Sequence, residues 1–173
     1  GSWDYLRSRS ISGLIPLLAV TSFDVDTVQR VESLDVNSIL RPFLAERICP
    51  NWISQHFGRW NNDRTLFSLV PESHLRRILE YVFDEDEFLS PNGVRSLSKV
   101  YEENPYTFCE GEETGTLAYS PADSPVAMFG GNSNWRGPVW MPFNYLLIES
   151  LQKFGHYYGD TFKIEFPTRS GNW

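Results

Sequence analysis

The chain has 173 residues, a formal net charge of −7, 41% hydrophobic and 15% aromatic residues. Aromatic side chains at that density exclude a disordered tail. An acidic balance without a basic cluster excludes a face for nucleic-acid phosphates or for an anionic membrane surface. The most apolar run, residues 14–20, contains Pro16 and falls far short of a bilayer span.

Gly1-Ser2 reads as a cloning remnant, and residues 3–173 as one domain, part of a longer protein. Residues 10–20 are mostly apolar and suggest a buried helix, weakened by Gly13 and Pro16. Asp26 followed by Gln29 resembles a capping box that opens a helix through Val28, Val31 and Leu34. Residues 37–48 carry Ile39, Leu40, Phe43, Leu44 and Ile48 at helical spacing, with Pro42 limiting where that helix starts or bends. The clearest periodicity lies in residues 71–83, where Leu75, Ile78, Leu79, Val82 and Phe83 share one face and Arg76, Arg77 and Glu80 the other. Pro71 suits the start of that helix, where a missing N–H costs nothing.

Residues 84–138 then read as a long connection with one short strand near residues 116–119. Long ordered loops are usually functional, and this one is rich in aromatics and amides. The last helix spans residues 139–154, with a stripe of Phe143, Leu147, Leu151 and Phe154 widened by Met141, Tyr145 and Ile148. So broad an apolar surface belongs inside a larger helical assembly. The pattern predicts a mainly α chain. An exposed helix face of this kind would also favour self-association.

Common catalytic signatures are missing. Gly131-Asn132-Ser133-Asn134-Trp135 has Trp where a nucleophile elbow needs its second Gly. His56, His74 and His156 lack the spacing of a local zinc pair, and Cys49 and Cys109 form neither a disulfide framework nor a metal knuckle. No metal and no cofactor are expected, and the cysteine usage leans towards a reducing, cytoplasmic setting. The acidic runs Asp84-Glu85-Asp86-Glu87 and Glu110-Gly111-Glu112-Glu113 suit solvated faces better than an acid–base pair, whose members need different environments.

Residues 129–140 carry the most chemistry. Gly130 and Gly131 allow close backbone approach to a ligand. Asn132, Asn134 and Arg136 offer planar donors and acceptors for hydroxyl groups, and Trp135 and Trp140 offer faces for stacking on sugar rings. The same residues also suit a structural loop, with both indoles in a core and Arg136 satisfying carbonyls.

The string Gly130-Gly131-Asn132-Ser133-Asn134-Trp135-Arg136-Gly137-Pro138-Val139-Trp140-Met141-Pro142-Phe143-Asn144-Tyr145-Leu146 resembles the signature of glycoside hydrolase family 63. Three further stretches resemble it in the same order: Arg9-Ser10-Ile11-Ser12-Gly13-Leu14-Ile15-Pro16-Leu17, then Phe88-Leu89-Ser90-Pro91-Asn92-Gly93-Val94-Arg95-Ser96-Leu97-Ser98, then Tyr158-Gly159-Asp160-Thr161-Phe162-Lys163. The resemblance implies part of an (α/α)6 toroid and an inverting α-glycosidase acting on oligosaccharides or small α-glucosides and mannosides. It also implies a sugar pocket lined by Asn134, Trp135, Arg136 and Trp140, with Arg95 beside it. The acid and base motifs of that family are absent from these 173 residues. The expectation is therefore a fragment of the enzyme that walls the pocket, has no catalytic residue of its own and is inactive alone. A non-catalytic carbohydrate-binding or scaffold module is the alternative.

Overall fold

The computed structural model describes residues 7–24, 26–27, 30, 59–61, 64–110, 113–121 and 138–173. The chain divides into two compact units that interleave in sequence. One comprises Gly1–Ile15, Ile78–Tyr145 and Ile164–Trp173, and the other Pro16–Arg77 and Leu146–Lys163.

The second of these units holds a three-stranded antiparallel sheet. Strand β1 (Val20–Asp24) and strand β2 (Arg59–Asn61) flank strand β3 (Arg64–Ser68). β-Branched and aromatic residues (Val20, Thr21, Phe23, Thr65, Phe67) favour the extended pleat. The register pairs Val20 with Ser68 and Asp24 with Arg64. Thr65, Leu66 and Ser68 of the central strand are buried, and the rings of Phe23 and Phe67 meet edge to face. His156 joins a helix to this sheet: its Nδ1 lies 3.0 Å from Ser22 Oγ and its Nε2 3.3 Å from Asp24 Oδ1.

The other unit begins with a 3₁₀ turn (Ile11–Leu14) whose Ile11 and Leu14 are buried. Its antiparallel pairs are β4 (Leu89–Ser90) with β5 (Gly93–Val94), and β6 (Tyr106–Glu110) with β7 (Glu113–Leu117). The two longer described helices are α2 (Glu72–Val82) and α3 (Met141–Tyr158), preceded in the chain by the single turn α1 (Ile15–Leu18). Helix α2 starts where Pro71 predicts, with Pro71 O accepting from Leu75 N–H at 2.9 Å. Leu75, Leu79 and Val82 form its buried stripe.

The last residues cap α2. Thr168 N–H donates to Phe83 O at 3.0 Å, and Thr168 Oγ1 donates to Glu80 O at 2.8 Å, serving carbonyls that the helix end leaves open. Phe166 packs edge to face on Phe83, and Arg169 bridges Asp84 and Asp86.

The expectation of a mainly α chain forming part of an (α/α)6 toroid is overturned. The described residues combine helices with one three-stranded and two two-stranded antiparallel sheets. The strands are two to five residues long, so the alternation that would announce them is brief. In residues 10–20, a 3₁₀ turn over Ile11–Leu14 and the single turn α1 stand in place of one helix, and the run gives way to β1 at Val20. The connection 84–138 contains β4 to β7 rather than a single strand. The helix expected over residues 139–154 begins at Met141 and runs on to Tyr158. Of the helix expected after Asp26, residues 26, 27 and 30 are described and helical. The one expected over residues 37–48 lies outside the described residues.

Candidate functional site

Three of the four stretches that carry the sequence resemblance meet on one short extended segment, residues 94–98. On one side Ser10 pairs with Leu97 antiparallel, Ile11 N–H donates to Ser96 O at 2.9 Å and Ser98 N–H donates to Arg9 O at 3.1 Å. On the other side Arg95 pairs with Val139, and Ser96 N–H donates to Pro138 O at 2.8 Å. A centre of five residues thus binds the chain's beginning on one edge and the exit of the Trp-Arg-Gly-Pro-Val-Trp motif on the other.

The segment is delivered by a tight turn. Ser90 Oγ donates to Gly93 O at 2.7 Å and accepts from Asn92 N–H at 3.2 Å, a local pattern that competes well with regular structure. Gly93 has φ +122°, a backbone conformation that side chains oppose. A Cβ at Gly93 would also lie 2.9 Å from Asn144 Oδ1.

Asn144 sits in the first turn of α3 and is buried. Its Oδ1 accepts from Val94 N–H at 2.7 Å, while its Nδ2 donates to Val94 O at 3.0 Å and to Trp140 O at 3.0 Å. The carboxamide presents to Val94 the same donor and acceptor that a neighbouring strand would.

Arg95, expected beside a sugar pocket, is 8% exposed. Its Nη1 donates to Glu85 O at 3.0 Å, to Glu87 O at 3.4 Å and to Leu89 O, and its Nε donates to Tyr119 Oη at 3.2 Å. The guanidinium therefore binds the turn after α2 from inside, in the way that planar, multi-donor arginine suits and lysine does not.

Glu87 is the unexpected member. The acidic run 84–87 reads as solvated, yet Glu87 is 6% exposed while Asp86 and Glu85 face water. One carboxylate oxygen receives Arg9 Nη1 and the other Ser98 Oγ. Arg9 in turn lies over the Tyr81 ring at 5.5 Å, and its backbone N–H donates to Tyr101 Oη at 2.8 Å. A buried carboxylate is tolerated when it is paired and hydrogen-bonded, and both conditions are met. The sequence signal is slight: Glu87 adjoins the apolar pair Phe88-Leu89. Asn144 had a clearer one, an amide between Phe143 and Leu147 on a buried helix stripe.

Trp140 is half-buried, its ring centroid 5.8 Å from that of Phe143. Asn134, Trp135 and Arg136 lie outside the described residues. Among the described residues no group of His, Cys, Asp and Glu could hold a metal ion. Among the described residues no helix is long and apolar enough to cross a membrane. At the edge of the site, the hydrogen bond to Asp86 and the charge of Asp84 push the Arg169 guanidinium above its usual range. With Glu87 bonded to Arg9 and Ser98, the described residues offer anchoring and shape rather than an acid–base pair.

Comparison with known proteins gives two relatives. Over 174 residues the chain is 39% identical to Uncharacterized protein YMR196W of Saccharomyces cerevisiae, a match covering 97% of this chain and 15% of that protein. Over 88 residues it is 30% identical to a Probable mannosyl-oligosaccharide glucosidase of Schizosaccharomyces pombe, covering 50% of this chain and 8% of that protein. The chain thus spans a small part of either relative. No family model matches, and no solved structure matches. The partial match is thus to a protein whose name is that of a glucosidase.

Proposed function

We propose that this chain is part of a glycoside hydrolase acting on α-glucosides or α-mannosides, and that it supplies one wall of the sugar pocket. Residues 3–173 would then be a portion of the catalytic domain. The observation that carries the reading is the convergence of residues 9–11, 94–98 and 138–140, segments far apart in the chain that all belong to the resemblance. The partial similarity to a probable glucosidase also supports it. In this reading Trp135 and Trp140 stack on a sugar ring, and Asn134 and Arg136 bond its hydroxyls. Arg95 shapes the neighbouring turn. The acid and base come from elsewhere in the protein, and inversion follows if they are far enough apart to admit a water.

The test is turnover by the full-length protein on α-glucosides and α-mannosides, with the anomer of the released sugar followed by proton NMR. First release of the β-anomer supports the proposal; release of the α-anomer rejects inversion, and no turnover rejects the enzyme. Arg136→Ala should lower kcat/KM by about tenfold or more while the melting temperature stays close to wild type. Wild-type kinetics in that variant would remove Arg136 from the site.

A non-catalytic sugar-binding module is the second reading. It uses the same described geometry, in which Glu87 is engaged by Arg9 and Ser98 and anchors the segment. Saturable binding of methyl α-glucoside without turnover would select it.

A further inference from the structure

We infer that Asn144 is the positioning residue of this sugar wall, acting through Trp140 and Val94 rather than by touching the sugar. The inference rests on the proposed function and adds to it the residue that fixes where the wall begins.

Three observations lead there. First, one side chain makes three hydrogen bonds to the main chain of two separate segments, β5 and the residue before α3. The group needs one acceptor and two donors at once. Among side chains of that length only asparagine has both. Second, the opposite surface is fitted to it: Gly93 leaves room that a Cβ would take from Asn144 Oδ1, and Val139 Cγ1 would lie 3.2 Å from the same Cβ. Third, Asn144 reaches Trp140 twice, through Nδ2 and through its own backbone N–H, which donates to Trp140 O at 3.1 Å.

Trp140 is one of the residues that the proposed function sets against the sugar, and Asn144 holds its main chain. Val94 precedes Arg95, which organises the turn beside it. Asn144 therefore couples the two edges of the wall. A wall ordered before the sugar arrives spares the ligand that ordering cost, so anchoring should appear as affinity and orientation.

The experiment uses the full-length protein labelled with 5-fluorotryptophan, with Trp140→Phe assigning the Trp140 fluorine resonance. Methyl α-glucoside and methyl α-mannoside are the probes. Asn144→Asp keeps the acceptor for Val94 N–H and loses both donations. It should shift or broaden the Trp140 resonance before sugar is added and weaken sugar binding about tenfold, the scale of one net hydrogen bond. The melt should remain cooperative. If Asn144→Asp does not fold, Asn144→Ser takes its place, being smaller and free of added charge.

Arg136→Ala, run in parallel, separates the two claims. Weaker binding in Arg136→Ala with unchanged binding in folded Asn144→Asp overturns the inference and leaves the proposed function standing. Failure of the wild-type full-length protein to bind either sugar removes the wall itself, and the inference with it. Loss of affinity in both variants, with the Trp140 resonance displaced only in Asn144→Asp, is the result expected.

Discussion

Glu87 shows how a charge is made acceptable inside a small unit. Its carboxylate has two oxygens and two protein donors, Arg9 and Ser98, and its backbone carbonyl accepts from Lys99 N–H and Arg95 Nη1. Arg9 is half-exposed, so a lost partner would leave it in water rather than stranded. The cost of Glu87→Gln is therefore the loss of charge-assisted bonding at one buried group, about 1–3 kcal/mol. Urea denaturation at neutral pH would measure it, and a variant as stable as wild type would show that Glu87 is dispensable. Neighbouring Arg95 works in the opposite sense, a buried cation bound to carbonyl oxygens.

At the scale of elements, helix α3 presents two unlike faces. Phe143, Leu147 and Phe154 are buried, whereas Met141, Tyr145 and Ile148 are more than half exposed. Leu147→Ala should cost about 2–5 kcal/mol, the range for a buried leucine. Ile148→Ala should stay within about 0.5 kcal/mol. Thermal melts of the pair would test the assignment, and equal losses would contradict it. Helix α2 offers a test by pH at its C-terminal end. The raised pKa of Arg169 means that its contribution is fully present below the ordinary arginine range and is lost only as pH rises through that raised value. The stability difference between wild type and Arg169→Gln should therefore be flat from about pH 6 to about pH 9. A difference that closes within that window would point to another titrating group. Both long helices were legible in the sequence because each repeats its apolar spacing over three or more turns. The strands were not: β4 and β5 have two residues each, too few for any period, and β1 pairs with β3 across a remote stretch of sequence. Pro71 announced its helix, but nothing at Val20 announced that an apolar run would turn from helix to strand. The site divided likewise. Its motif residues could be recognised, whereas Glu87 and Asn144 acquire their roles from partners 78 and 50 residues away.

For the whole molecule, the exposed apolar side chains of α3 have a consequence in solution. Met141, Tyr145 and Ile148 recur at helical spacing, and Leu146 adds to the same exposed surface. Side chains of that size in one patch favour association. The isolated chain should sediment with a concentration-dependent weight, and Tyr145→Lys with Ile148→Glu should return it to the monomer. A wild-type chain that stays monomeric at high concentration would argue that the face is harmless. Several partners in the site unit are also remote from one another in sequence. Arg9 and Ile11 find their edge only at residues 96–98, and the other edge of that segment takes Pro138 and Val139. The cap on α2 comes from Thr168 and Arg169, 88 and 85 residues from the groups they bind. Each closure spans scores of residues and carries its own entropic delay. The unit with the candidate site is thus closed by loops of long span, and its segments stay unpaired until distant partners have been brought to them.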